Sequence, residues 1–160
     1  IRQHLVALQT APDAETAQRL LRQIVILGTY IKRRSNLVFV CDKAEDIDTT
    51  ELRLSLFESA ESLRLSDIRC AVQIADTAKI SPASAVAIYD AFEAIIEATL
   101  PGLQEILFCA EHTAQGWGLR CSVQCTDAPA ALPGLPQMQL EQDEDGLLYF
   151  TMFPAEGGGL

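Results

Sequence analysis

Two prolines mark the ends of one helix near the middle of the chain, in SPASAVAIYDAFEAIIEATLPG, residues 81–102. Ser81 is a good N-cap, and Pro82 suits the first helical position, where its missing N–H costs nothing. Pro101 cannot continue the hydrogen-bond ladder, and Gly102 accepts the left-handed geometry of a helix stop. Between them Ala85, Ile88 or Tyr89, Phe92, Ile95 or Ile96 and Thr99 recur at spacings of three and four. That spacing predicts an amphipathic helix with one buried stripe. The helix also carries Glu93 and, four residues on, Glu97-Ala98. The role of these two carboxylates is the functional question.

The segments around this helix set the fold class. Asp48-Thr49-Thr50-Glu51 has capping-box spacing, with Asp in the Ser/Thr position, and predicts a helix to about Leu65. DIRCAVQIA (67–75) alternates as a strand. Four strand-like runs follow the 81–99 helix: EILFCAE (105–111), GLRCSVQCT (118–126), PQMQLEQ (136–142) and GLLYFTMFP (146–154). Asp145-Gly146 is a hairpin signal between the last two. Two helices against one largely antiparallel sheet make a two-layer α+β sandwich.

The N-terminal quarter reads differently. Residues 1–10 have the apolar spacing of the tail of a helix, APD (11–13) makes a turn, and Asp13 is a candidate N-cap. From Ala14 to Cys41 the positions Ala17, Leu20, Ile24, Leu27, Ile31, Arg34, Val38 and Cys41 form a heptad seam, interrupted once by Arg34. NLVFVC (36–41) also has the composition of a short strand, but the heptad continues through it and favours helix. A short hairpin cannot bury such a seam alone. A second copy, giving a dimeric four-helix bundle, is the expected completion, and packing on the chain's own sandwich is the other. The acidic, aperiodic stretch 42–50 divides a helical hairpin, residues 1–45, from a second unit, residues 46–160.

Composition excludes several function classes. A chain of 160 residues, 49% apolar with mean hydropathy +0.15, builds one solid core and is not disordered. No apolar run is long enough to span a bilayer and no secretory signal is visible, so a cytoplasmic location is expected. The chain starts at Ile1 inside a helical pattern and reads as an excised fragment. A net charge of −10 argues against a nucleic-acid footprint. The bases Arg19, Arg22 and Lys32-Arg33-Arg34 read as a solvated helix face, with a phosphate or acidic-partner site as the alternative. Cys41, Cys70, Cys109, Cys121 and Cys125 lie among apolar neighbours and form no C-x-x-C pair, which predicts buried free thiols and no metal site.

The arrangement resembles the C-terminal region of bacterial sensor histidine kinases over most of the chain. ILGTYIKRRSNLVFV is similar to the second hairpin helix of a subgroup of such kinases, and is the most specific string. Residues 48–154 resemble their ATP-binding domain, of the Bergerat or GHKL type. The family's helix motif is E-x-x-x-N-A, in which a glutamate orients the attacking group and an asparagine holds magnesium on the phosphates. The resemblance places Glu93 on that glutamate, Ala98 on the alanine and Glu97 in place of the asparagine. The alternative for both carboxylates is a solvated face. The family's D-x-G-x-G, where an aspartate reads adenine, falls on Asp127, followed here by Ala128-Pro129-Ala130-Ala131 without glycine. The short connection 128–136 replaces the ATP lid and its glycine-rich phosphate cradle.

The resemblance implies a helical hairpin plus a histidine-kinase-type sandwich with a shortened ATP lid, whose nucleotide site (Glu93, Glu97, Asp127) is degenerate. It assigns no catalytic residue and no resident cofactor. His4 is on the first helix, but family acceptors precede an acidic residue and Leu5-Val6-Ala7 follow here, so the phosphoacceptor is expected upstream. His112, in EHTAQGWG, reads as a loop residue, and Trp117 as a cap on the sheet edge or core. The implied function is a dimeric cytoplasmic signalling fragment that acts through a response regulator or other signalling protein, with no membrane contact of its own. The alternatives are an active ATP-dependent histidine autokinase, using ATP and magnesium, and a regulatory binding module of the anti-sigma-factor type.

Overall fold

Each predicted N-cap makes its bond in the computed structural model, which describes residues 1–42, 44–74, 78–127, 129 and 137–154. The Asp13 carboxylate accepts from the Thr16 N–H at 2.7 Å and opens helix α2 (Ala14–Cys41), which follows the short α1 (Arg2–Gln9). Asp48 accepts from the Thr50 N–H at 2.9 Å and opens α3 (Thr49–Arg64). Ser81 accepts from the Ser84 N–H at 3.1 Å and opens α4 (Pro82–Thr99). Residues 36–41 are helical, as the heptad required.

The strands are β1 (Ile47–Asp48), β2 (Arg69–Ile74), β3 (Lys79–Ile80), β4 (Leu103–Thr113), β5 (Gly116–Cys125), β6 (Gln139–Gln142) and β7 (Leu148–Met152). A five-stranded sheet has the order β2-β4-β5-β7-β6, and β1 pairs with β3 separately. β2 and β4 are parallel because α4 lies between them, and a parallel pair needs such a crossover. The other pairs are antiparallel. The Asp145-Gly146 turn closes the last hairpin, with Gly146 at φ +85°, a conformation that suits glycine. His112 is paired with Trp117 inside the β4–β5 ladder, which corrects its expected loop position: the strands extend beyond their apolar runs. Trp117 is buried, and its indole N–H donates to the Lys79 carbonyl at 2.9 Å. The connection expected to be a shortened lid, 128–136, lies outside the described residues except Pro129.

The sandwich core follows the two periodicities of its elements. Leu52, Leu56, Ala60 and Leu63 of α3 and Ala85, Ile88, Phe92 and Ile95 of α4 are fully buried. They share one cluster with Ile106, Phe108 and Ala110 of β4, Leu119, Cys121 and Val123 of β5 and Leu148, Phe150 and Met152 of β7. All five thiols are free; Cys41, Cys70 and Cys121 are buried, whereas Cys109 and Cys125 are only half-buried, short of full burial for these two.

α2 joins that same cluster. Ile26, Leu37 and Cys41 are buried, and Tyr30 packs against the core between α3 and α4. Arg33 pairs with Glu58, the Ser62 hydroxyl donates to Thr29 at 3.0 Å, and Arg22 pairs with Asp67 at 3.2 Å. The buried row is therefore offset from the expected seam: within that seam, Cys41 faces the sandwich while Ile31 and Val38 remain exposed. A helix with apolar residues on two faces gives no sequence signal for which face meets its own domain. Among the described residues no helix is long and apolar enough to cross a membrane.

Candidate functional site

α4 carries both carboxylates of the expected motif, but their surroundings differ. Glu93 is only 5% exposed, which rules out a solvated face for it, whereas Glu97, four residues on, is exposed. Both line a cavity of about 340 Å³ between hairpin and sandwich, together with His4, Tyr30 and Asp90. The apolar wall comes from Ile1, Leu27, Ile31 and Ala94.

α2 grips α4 directly at the rim of this cavity. The Arg34 guanidinium donates to both Asp90 oxygens, at 2.7 and 2.9 Å, and the Tyr30 hydroxyl donates to Asp90 at 3.1 Å. The Tyr30 and Tyr89 rings lie 5.7 Å apart, and Tyr89 hydrogen-bonds Ser59 of α3 at 2.8 Å. Burial, then the Asp90 charge, pushes the Tyr30 phenol up to about 12, so it stays a donor. Sequence reasoning missed Asp90 and Tyr30 altogether. Its one trace of the contact was Arg34, a charge interrupting an apolar seam, and nothing local names a partner 56 residues away.

Burial pushes the Glu93 carboxyl up to about 8, opposed by a hydrogen bond from Ser59 and aided by the Glu97 and Asp90 charges. Asp90 is balanced by Arg34. The remaining carboxyls are not matched inside the cavity, since Arg33 is engaged by Glu58. His4 shares the space, with Nδ1 buried and unpartnered.

Asp127 is held elsewhere, just after β5 and outside any helix. The Thr126 N–H donates to the Gly102 carbonyl at 3.0 Å, which puts Asp127 beside the C-terminal end of α4. Asp127 is exposed and does not line the cavity that Glu93 and Glu97 share. Gly102 is required there, because any Cβ would collide with Thr126. The structure thus unites Glu93, Glu97 and His4 and leaves Asp127 apart. Among the described residues no group of three or more His, Cys, Asp or Glu is arranged to hold a metal ion.

The Asp90 contacts make a measurable prediction. Asp90→Ala strands the Arg34 guanidinium and the Tyr30 hydroxyl. Both are partly hydrated, so the expected loss is about 1–2 kcal/mol, below the cost of breaking a fully buried pair. Urea unfolding should show a lower midpoint at unchanged slope, and in Arg34→Ala the further cost of Asp90→Ala should shrink.

No family model matches the sequence, and no curated protein matches it. Solved structures do. The chain is similar to a bacterial phosphotransferase, with TM-score 0.56 and 12% identity over 94% of this chain and 84% of that one. It is similar to the histidine kinase domain of the blue-light-activated histidine kinase of Erythrobacter litoralis, with TM-score 0.55 and 11% identity over 96% and 94%. The catalytic domain of the histidine kinase ThkA matches 69% of this chain and 94% of its own, with TM-score 0.50 and 12% identity. The α+β fold, an N-terminal helical segment on a histidine-kinase-type sandwich, is therefore the fold of the histidine kinase C-terminal region.

Proposed function

We propose, from a chain with the fold of a histidine kinase C-terminal region, a dimeric signalling fragment whose nucleotide-binding domain is degenerate. It acts in the cytoplasm through dimerisation and contact with a response regulator or other signalling protein, and it binds nucleotide weakly or not at all. Its likeness to a phosphotransferase and to a kinase domain supports a place in phosphorylation signalling.

The observation that carries the degenerate reading is the charge at α4. Asp90, Glu93 and Glu97 line one cavity with no lysine or arginine in its wall; Asp90 is paired with Arg34 at the rim and burial keeps Glu93 protonated, which leaves Glu97 with no basic partner there. The Glu97 carboxylate about 5 Å from a phosphate oxygen would cost roughly 3 kcal/mol per pair of unit charges at an effective dielectric near 20. A divalent ion held between a carboxylate, phosphate oxygens and water would relieve this repulsion, and among the described residues no group of three or more His, Cys, Asp or Glu is arranged to hold one in advance. Ala128-Pro129-Ala130-Ala131 supports the same reading from the sequence, where glycines would let the backbone approach a nucleotide.

Calorimetric titration with ATP and magnesium tests this proposal. The expected result is no binding tighter than the high-micromolar range, and low-micromolar affinity would overturn it in favour of a working kinase.

The proposed dimer is supported by the outer side of the hairpin. Leu5 and Val6 of α1 and Leu21, Val25 and Phe39 of α2 are exposed. Leu21, Gly28 and Phe39 lie, by the 3.6-residue period, opposite the Ile26–Tyr30–Leu37 row that meets the sandwich. A Cβ on Gly28 would touch nothing in its own chain. Glycine inside a helix costs roughly 1 kcal/mol relative to alanine, and close approach of a second helix gives it a reason.

A further inference from the structure

Glu93 sits where four helices meet, and the groups that face it come from each of them. α1 contributes His4, α2 contributes Tyr30, α3 contributes Ser59, and α4 contributes Tyr89, Asp90 and Glu97. Of the α2 arginines, Arg34 is committed to Asp90, and Arg33 pairs with Glu58 while its Nε is buried without a partner. What remains for Glu93 is the Ser59 hydroxyl, two phenols, further carboxylates and an imidazole with one unpartnered nitrogen. A neutral carboxyl satisfies such a site with one hydrogen bond. A carboxylate there lacks a counter-charge and faces Asp90 and Glu97.

We propose that Glu93 is a proton-operated latch: protonated, it keeps α2 docked on α3 and α4, and loss of its proton loosens α2 while the sandwich stays folded. The latch would make the position of the hairpin answer to proton concentration, with or without a bound nucleotide.

The sign follows from linkage. The docked state holds the Glu93 proton up to about pH 8, whereas a released, hydrated carboxyl gives it up near its ordinary value of 4.5. Between those values the released state binds fewer protons. Docking therefore weakens as pH rises through this window, by as much as about tenfold per pH unit, and levels off above about pH 8. The joint is weakest where most carboxylate contacts are strongest.

Hydrogen exchange followed by mass spectrometry on the full chain tests the latch, with rates corrected for intrinsic pH dependence. The expected result is that residues 26–41 exchange through an opening of lower free energy than the one that exposes β4 and β5, and that their protection falls by up to about tenfold per unit between about pH 5.5 and 8. In Glu93→Gln, a neutral side chain of the same shape, the fall should vanish; in His4→Gln it should persist. A flat wild-type profile overturns the latch, and does so even if Glu93→Gln fails to fold. So does exchange of residues 26–41 only at the free energy that exposes the strands, which would make Glu93 a matter of global stability, or loss of the slope in His4→Gln. None of these outcomes bears on nucleotide affinity, so the latch and the proposed function stand or fall separately.

Discussion

Phe92→Ala is expected to cost about 3–5 kcal/mol, the largest loss from a single truncation on α4. Phe92 is fully buried, its ring meets Phe108 edge-on at 4.9 Å, and it lies 6.5 Å from Tyr89. It joins the sheet on one side of α4 to the tyrosines that hold α2 on the other. Removal deletes the transfer free energy of a ring and leaves a void whose walls, helix and strand, cannot collapse freely. Since small domains are stable by about 5–15 kcal/mol, the variant should be near its threshold. Urea unfolding by circular dichroism measures the effect; a loss under 1 kcal/mol would mean that α4 does not bridge the two layers. Phe92→Leu, which keeps most of the volume, should recover most of the stability.

Leu21→Glu is expected to leave the monomer within about 0.5 kcal/mol of the parent, because Leu21 is 49% exposed in a single copy. In the proposed dimer the same change puts a carboxylate into a dry seam opposite its symmetry mate. A penalty of about 3 kcal/mol or more, the lower range for an unpaired buried charge, weakens association by roughly 100-fold or more. Sedimentation equilibrium across micromolar concentrations reads this directly. A parent chain that stays monomeric at these concentrations, or a variant that dimerises as well as the parent, would refute a hairpin interface. Asp90→Ala lies on α4, against the inner face of α2, so it should not alter the association constant.

Local order was legible before any tertiary contact was known. Asp13, Asp48 and Ser81 each cap the helix they announce, because a capping oxygen and the N–H it serves lie within three residues of each other. The strand alternation of 118–126 and the Asp145-Gly146 turn were legible for the same reason. Their physics is complete within one turn or one hairpin. The short β1–β3 pair was not legible: two residues from each strand meet across some thirty positions, with no pattern long enough to read.

The sequence by itself determined the helices and the five strands of the main sheet, their order, the kind of sandwich they build and the residue types lined up on α4. It could not decide what those residues face. Whether Glu93 meets water or a closed cavity depends on where α2 lies, and α2 carries apolar residues on two faces. Only the folded chain chooses between them, by the fit of Ile26, Tyr30 and Leu37 into the groove of α3 and α4 and by the pairing of Arg34 with Asp90. That choice turns a motif carboxylate into a buried acid. Burial and long-range pairing are sums over distant parts of the chain, and a periodicity of three and four does not contain them.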